Sequence, residues 1–367
     1  MIPNQSSFNK LRGFSLIELL IALAIGLLLL AGLTVVFVNS SEANRELQKT
    51  SQQIENGRFA IDTLTQNLHH AGYYGHLYTM PAAPALPDPC NVDASDAAKR
   101  GVLFSALAFP VQGYRAPDMV TIADVTATTC DSSLLTSANL QPGSDVLVIR
   151  RANTKALAVG DTAVTNDVYI QSIGIEGEVQ IGGGAAYVAG TKADGGASTL
   201  FLKNGTTAAP IRKYMVHVYF VAPCSVGSGT NAVCTSTDDT IPTLKRLELV
   251  SEGGATKMKI VPLVEGIEYM KIEYGIDTLP AAVNPTTQLT GDATVDSYTA
   301  TPGDWTSVIA AKVFLLARNT EATGFHTDTK SYTLGTAAVA AKNDRYKRHV
   351  YSAAVRLVNP AGRREIP

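Results

Sequence analysis

The sequence predicts an α+β fold in which one long N-terminal helix packs on a C-terminal antiparallel β-sheet body. Three observations predict it. An apolar run extends from Phe14 to Val38, and helical periodicity continues past it with no proline before Pro81. After Gly75 come short β-branched and aromatic runs, separated by loops rich in Gly, Thr and Asp.

The run from Phe14 to Val38 has one charge, Glu18, and its roughly 25 residues are enough for a helix to cross a hydrocarbon core. Lys10 and Arg12 precede it, so the positive-inside rule keeps the N-terminus cytoplasmic and sends the body across the membrane. The run is too long for the apolar core of an ordinary secretory signal, and it continues as helix. Gly26 and Gly32 are small residues of the kind that let helices approach closely in lipid. Beyond the span, Leu47, Ile54, Ile61 and Leu68 recur every seven residues, with Leu64 and Ala71 in the same stripe. That stripe is expected to lie on the body's own sheet, with Arg45, Glu46, Lys49 and Arg58 facing outward. At 1.5 Å per residue the helix from Phe14 to Ala71 is roughly 85 Å long. Gly72 supplies a left-handed cap that ends it.

A proline-rich stretch from Met80 to Cys90 then excludes helix. Strands are expected at 119–123, 146–150, 168–170, 199–203, 213–221, 244–250, 267–274, 308–317 and 349–358. The clearest alternation puts Tyr214, Val216, Val218 and Phe220 on one face and Met215, His217 and Tyr219 on the other. Long loops are expected at 182–198 and 277–304, and the body reads as having no second core. Cys90, Cys130, Cys224 and Cys234 allow three pairings. In an oxidising compartment the most economical joins Cys224 to Cys234 and leaves Cys90 for Cys130.

A net charge of -2 with 17% charged residues supplies no basic field for nucleic acid, so no direct nucleic-acid binding is expected. His69 and His70 are adjacent on a helix and point about 100° apart, which does not suit a shared metal. The Asp-Gly clusters near Asp194 and Asp238 lack an EF-hand pattern, and Gly182-Gly-Gly184 neither opens a helix nor precedes a Lys-Ser/Thr pair. With no nucleophile, zincin or P-loop pattern, the chain is expected to be neither an enzyme nor a cofactor or metal carrier. Tyr73, Tyr74 and Tyr78 are read as helix–sheet contacts.

The segment Arg12-Gly13-Phe14-Ser15-Leu16-Ile17-Glu18, with its short basic leader, closely resembles the class III signal of type IV prepilins and type II secretion pseudopilins. The resemblance implies cleavage between Gly13 and Phe14 by a prepilin peptidase, and N-methylation of Phe14. It also implies that Glu18 neutralises the Phe14 amine of a neighbouring subunit in a filament. A carboxylate inside an apolar span is costly and needs such a partner. A desolvated pair of this kind sets register more than stability.

Further along, Val221-Ala-Pro-Cys224, Leu244-Lys-Arg-Leu-Glu-Leu249, Leu263-Val-Glu-Gly-Ile-Glu268 and Arg348-His-Val-Tyr351 resemble PilW-type minor pilins. On that likeness the chain divides into a leader at 1–13, a transmembrane and filament-core helix at 14–38, a periplasmic continuation at 39–72 and a β-rich pilin body at 73–367. It implies a role in priming and assembling the type IV pilus near the tip, with other minor pilins and the major pilin as partners. The implied location is the inner membrane and then the extracellular pilus. A J-type pseudopilin and a membrane-anchored adhesin or binding module are the alternatives.

Overall fold

The computed structural model describes residues 13–82, 85–126, 128–130, 133–278 and 291–365. The leader up to Arg12 and residues 279–290 of the expected 277–304 loop lie outside the described residues. The chain forms two compact units, one up to Ser51 and one from Gln52 onward. Helix α1, Leu16–His70, begins in the first and ends in the second.

In the second unit a short helix α2, Ala97–Ser105, precedes a seven-stranded sheet. Its strands are β1 Val111–Tyr114, β2 Val146–Ala156, β3 Val168–Ser172, β4 Gly177–Ile181, β5 Ile211–Ala222, β6 Thr243–Glu252 and β7 Ala255–Glu265. A four-stranded sheet follows, built from β8 Ile267–Ile276, β9 Ser297–Thr299 and β10 Val308–Arg318, and completed after the hairpin of β11 Tyr332–Leu334 and β12 Ala337–Val339 by β13 Arg348–Arg356. Helix α3, Val358–Gly362, comes last. Every strand pair in these sheets is antiparallel.

One residue, Gly266, separates β7 from β8 and moves the chain from one sheet to the other. Its φ is +78°, which L side chains rarely adopt, and a Cβ there would sit 2.6 Å from the Arg318 carbonyl oxygen. The Gly266 N–H donates to Pro242 O and its carbonyl accepts from Arg318 N, so the switch point is bonded to both sheets.

Both faces of the first sheet are covered. Val146, Val148, Tyr214, Val216, Val218 and Phe220 build one cluster, while Leu147, Ile149, Tyr219 and Val221 build another with α1 and the second sheet. The alternation of β5 is therefore as read from the sequence, but the expectation of no second core is corrected. Two large clusters flank one sheet, because loops and α2 cover the face that α1 leaves open. Two expected strands are absent. Residues 119–123 turn instead around Asp118, whose Oδ1 accepts from Val120 N and Thr121 N at 2.9 and 2.7 Å. Residues 199–203 make only an isolated bridge, Phe201 to Ala208. Helix α2 was readable from Asp96, which accepts from Lys99 N at 2.9 Å as its N-cap.

The buried face of α1 keeps Leu64, Leu68 and Ala71 of the expected stripe and departs from it nearer the N-terminus. Gln53, Gly57, Ala60, Leu64 and Leu68 are buried, at intervals of four, three, four and four, and Ala71 continues the line. Leu47 and Ile54 are instead 68% and 38% exposed, and Ile61 is half-buried. The displacement has a tertiary cause. Gln53 Nε2 donates to Ala317 O and Lys347 O at 2.9 Å each, and the Tyr351 ring of β13 occupies the space above Gly57. A Cβ at Gly57 would lie 2.1 Å from Tyr351 Cε2. Gly57→Ala is therefore expected to destabilise the chain by about 1–2 kcal/mol, because the clash outweighs the helix-propensity gain of about 1 kcal/mol. In a double-mutant cycle with Tyr351→Ala the same change should become neutral or favourable, as read by denaturant unfolding.

The C-terminus closes the end of α1. Asn359 Nδ2 donates to Ala71 O at 3.1 Å and Arg363 Nη1 to Gly72 O at 2.9 Å, which supplies donors and a positive charge where the helix exposes carbonyls. Gly72 takes φ +72° as its cap, as the sequence predicts.

Candidate functional site

Gly13 and Phe14 stand in front of α1, and Phe14 is 90% exposed. Ser15 and Glu18 form a reciprocal capping box. Glu18 N donates to Ser15 Oγ at 3.3 Å, and Ser15 N donates to Glu18 Oε2 at 2.8 Å. The local signal for it, Ser-x-x-Glu before an apolar run, lies in the sequence. Glu18 thus has an intramolecular partner as well as the intermolecular one the prepilin resemblance implies. A carboxylate accepts several hydrogen bonds, so one role does not exhaust it.

From Leu16 the helix is long and apolar enough to cross a membrane, with a mean hydropathy of 2.9 over its most apolar stretch and no burial of that stretch by its own chain. Leu28 and Phe37 are each 74% exposed. An apolar surface of this extent requires lipid or other protein around it. No heavy atom lies within 4 Å of a Cβ built on Gly26 or Gly32, so these positions are open on the helix surface.

In the body, Cys90 is bonded to Cys130 and Cys224 to Cys234, with Cα separations of 5.3 and 5.8 Å. This is the pairing expected above. In the chain-entropy account such loops contribute about 4 and 3 kcal/mol respectively. The first ties the proline-rich stretch to the loop before β2, and the second closes the loop between β5 and β6.

The sequence reading missed three buried polar centres. Arg348 side chain, fully buried, is held by Glu268 (Nε to Oε2, 2.6 Å), Asp328 (Nη1 to Oδ2, 2.9 Å) and Asp344 (Nη2 to Oδ2, 2.6 Å). Burial acts to lower its pKa, and the bonds to the three carboxylates outweigh that and raise it, so the guanidinium stays charged. Asp145 Oδ1 accepts from Lys271 Nζ at 2.9 Å, joining the loop before β2 to β8. His217 on β5 places Nδ1 2.9 Å from Asn67 Oδ1 of α1, a contact that needs the proton on Nδ1. Desolvation, followed by repulsion from Arg246 and Arg151, lowers its pKa to about 3, so it is neutral at ordinary pH. Asp344 lies four residues from Arg348, and the other partners at these centres come from segments farther away in the chain.

The other expected positions fall as follows. His69, His70 and His76 are exposed, and His70 Nδ1 lies 2.7 Å from Gln66 O. Tyr74 is buried and donates to Arg150 O at 3.3 Å, Tyr73 lies under Arg212, and Tyr78 is 38% exposed.

Two family models match the chain. Residues 218–359 match the one described as Type IV Pilus-assembly protein W, and residues 8–34 match the prokaryotic N-terminal methylation motif. The first match runs from within β5 to the start of α3 and takes in the Cys224–Cys234 loop, the Gly266 switch and Arg348. The second contains Gly13, Phe14 and Glu18. No curated protein and no solved structure matches.

Proposed function

We propose, on the matches to the PilW family model and the methylation motif, that the chain is a PilW-like minor type IV pilin that takes part in priming and assembling the type IV pilus, incorporated near the filament tip. The apolar half of α1 carries this reading, because its own chain leaves it uncovered behind a methylation motif. Such a surface suits two successive environments, the bilayer before assembly and neighbouring helices afterwards. In this reading the prepilin peptidase cleaves between Gly13 and Phe14, and the new Phe14 amine is methylated. Glu18 then neutralises the amine of an adjacent subunit, and the body lies on the periplasmic side until it is carried out with the pilus. A subunit that needs this carboxylate lies beneath another, so it is not the outermost member of its complex.

Intact-mass analysis of the chain with and without prepilin peptidase tests the first step. A mature chain starting at methylated Phe14 only when the peptidase is present is the expected result, whereas a chain still starting at Met1 overturns the proposal.

The capping box makes a sharper test of Glu18 possible. Glutamine retains the hydrogen bond to Ser15 N but carries no charge. Glu18→Gln is therefore expected to insert and be processed like the wild type, yet be recovered in sheared pili at a small fraction of the wild-type amount, as with Glu18→Ala. Normal incorporation of Glu18→Gln beside failure of Glu18→Ala would assign Glu18 to helix capping alone.

A further inference from the structure

Lys245 on β6 pairs in register with Phe220 of β5, and only 1% of its surface is exposed. Its Nζ donates to Cys224 Sγ at 3.5 Å and to Cys234 Sγ at 3.4 Å, its only acceptors among the described residues. Disulfide sulfur is a weak acceptor, so in the oxidised protein a buried ammonium is poorly compensated. Burial lowers the Lys245 pKa, and the carboxylates of Asp238 and Asp239 offset this only in part. Both carboxylates are occupied within the loop. Asp239 accepts from Ser225 and Ile241, and Asp238 from Ser228 and Thr235. An apolar side chain would fill this core position at lower cost. The ammonium becomes well placed only when one of the two sulfurs is an anion.

We propose that Cys224–Cys234 is a redox-exchangeable site whose co-substrate is a dithiol, and that Lys245 stabilises the thiolate formed when the bond opens. The dithiol enters by a cleft of about 480 Å³ lined by both cysteines, Asp238, Asp239, Glu268 and Arg318. Its first thiolate attacks one Sγ. The S–S bond breaks, and the bonding pair goes to the other sulfur as a thiolate beside Lys245 Nζ. The second sulfur of the dithiol, deprotonated in turn, attacks the mixed disulfide and releases the first cysteine, which takes up a proton. Two electrons thus pass from the dithiol, now a disulfide, to the protein. One of the dithiol's protons ends on a cysteine and the other in solvent.

Cys90–Cys130 is the internal control, because among the described residues neither of its sulfurs accepts a hydrogen bond from a cation. The test equilibrates the full-length chain in detergent with graded ratios of reduced to oxidised dithiothreitol. Acid quenching, alkylation and peptide mass mapping then give the midpoint of each cysteine pair. Lys245→Met is expected to demand a dithiol-to-disulfide ratio at least tenfold higher to open Cys224–Cys234, which is about 30 mV for a two-electron couple, with the Cys90–Cys130 midpoint unmoved. An unchanged Cys224–Cys234 midpoint, or an equal shift of both pairs, overturns the proposal. A second measurement needs no substitution at Lys245. The reduced chain carrying Cys90→Ser and Cys130→Ser is expected to show ultraviolet thiolate absorbance at neutral pH, and its absence also overturns the proposal.

Discussion

Replacing Arg348 with methionine is expected to cost about 3–5 kcal/mol at neutral pH, the usual penalty for breaking a buried charge cluster by removing one partner. The side chain of Arg348 is fully buried, and its loss leaves Glu268, Asp328 and Asp344 without the guanidinium that binds all three. Glu268 lies on β8, Arg348 on β13 and Asp328 in the loop before β11, so the cluster joins the ends of two strands to the hairpin. Tyr332 Oη donates to both oxygens of Asp328 at 3.0 Å, which orients that carboxylate and does not neutralise it. Denaturant unfolding of the full-length chain in detergent, followed by the fluorescence of Trp305, measures the loss. Trp305 is the sole tryptophan and packs edge-on against Tyr274 of β8, with ring centroids 4.7 Å apart.

The deficit should depend on pH in a definite direction. The Arg348 hydrogen bond, the largest influence on Asp344, holds the Asp344 pKa below the ordinary carboxylate value. A depressed pKa contributes stability that is complete above the unfolded-state value, about 3.9, and is lost as pH falls through the folded-state value. The variant lacks that contribution. The gap between wild type and Arg348→Met should therefore narrow as pH drops below about 4. A gap that is constant with pH would mean that lost packing, not uncompensated charge, sets the cost.

Leu64→Ala is expected to cost about 2–5 kcal/mol, and Ile54→Ala less than about 0.5 kcal/mol. Leu64 is fully buried between α1 and the two sheets, and the fixed backbone around it leaves a cavity that cannot collapse. Ile54 belongs to the sequence heptad but is 38% exposed and lies outside the buried line of the helix. The same denaturation assay separates the two. Equal losses at both positions would show that the expected stripe stays packed as far as Ile54.

The contrast between these residues marks how far the sequence could be read. Hydrophobic spacing located α1, its length and its end at Gly72, because those depend on propensity, absence of proline and a local cap. It placed Leu64, Leu68 and Ala71 correctly on the buried face and erred nearer the N-terminus. Gln53 is buried through the Ala317 and Lys347 carbonyls, and Gly57 through the Tyr351 ring, and all three of these partners lie more than 250 residues away. The same division holds at the candidate site. Gly13, Phe14 and Glu18 form a local pattern and were legible, and the Ser15–Glu18 capping box was equally so. Arg348, Lys245 and His217 appear in the sequence as ordinary charged or polar residues of strands, with their carboxylate, sulfur and amide partners supplied by other segments.

By itself the sequence determined the apolar helix, the methylation motif at its start, the helix stop, the alternating faces of β5 and the α+β class. Each rests on interactions within a few residues or on a simple period along the chain. Only the tertiary structure decided which stripe of α1 is buried, that two sheets meet at Gly266, that both faces of the first sheet are covered, and which cations sit beside carboxylates or sulfurs. Those features rest on contacts between distant segments, and a buried charge or glycine is defined by the neighbours that folding brings to it.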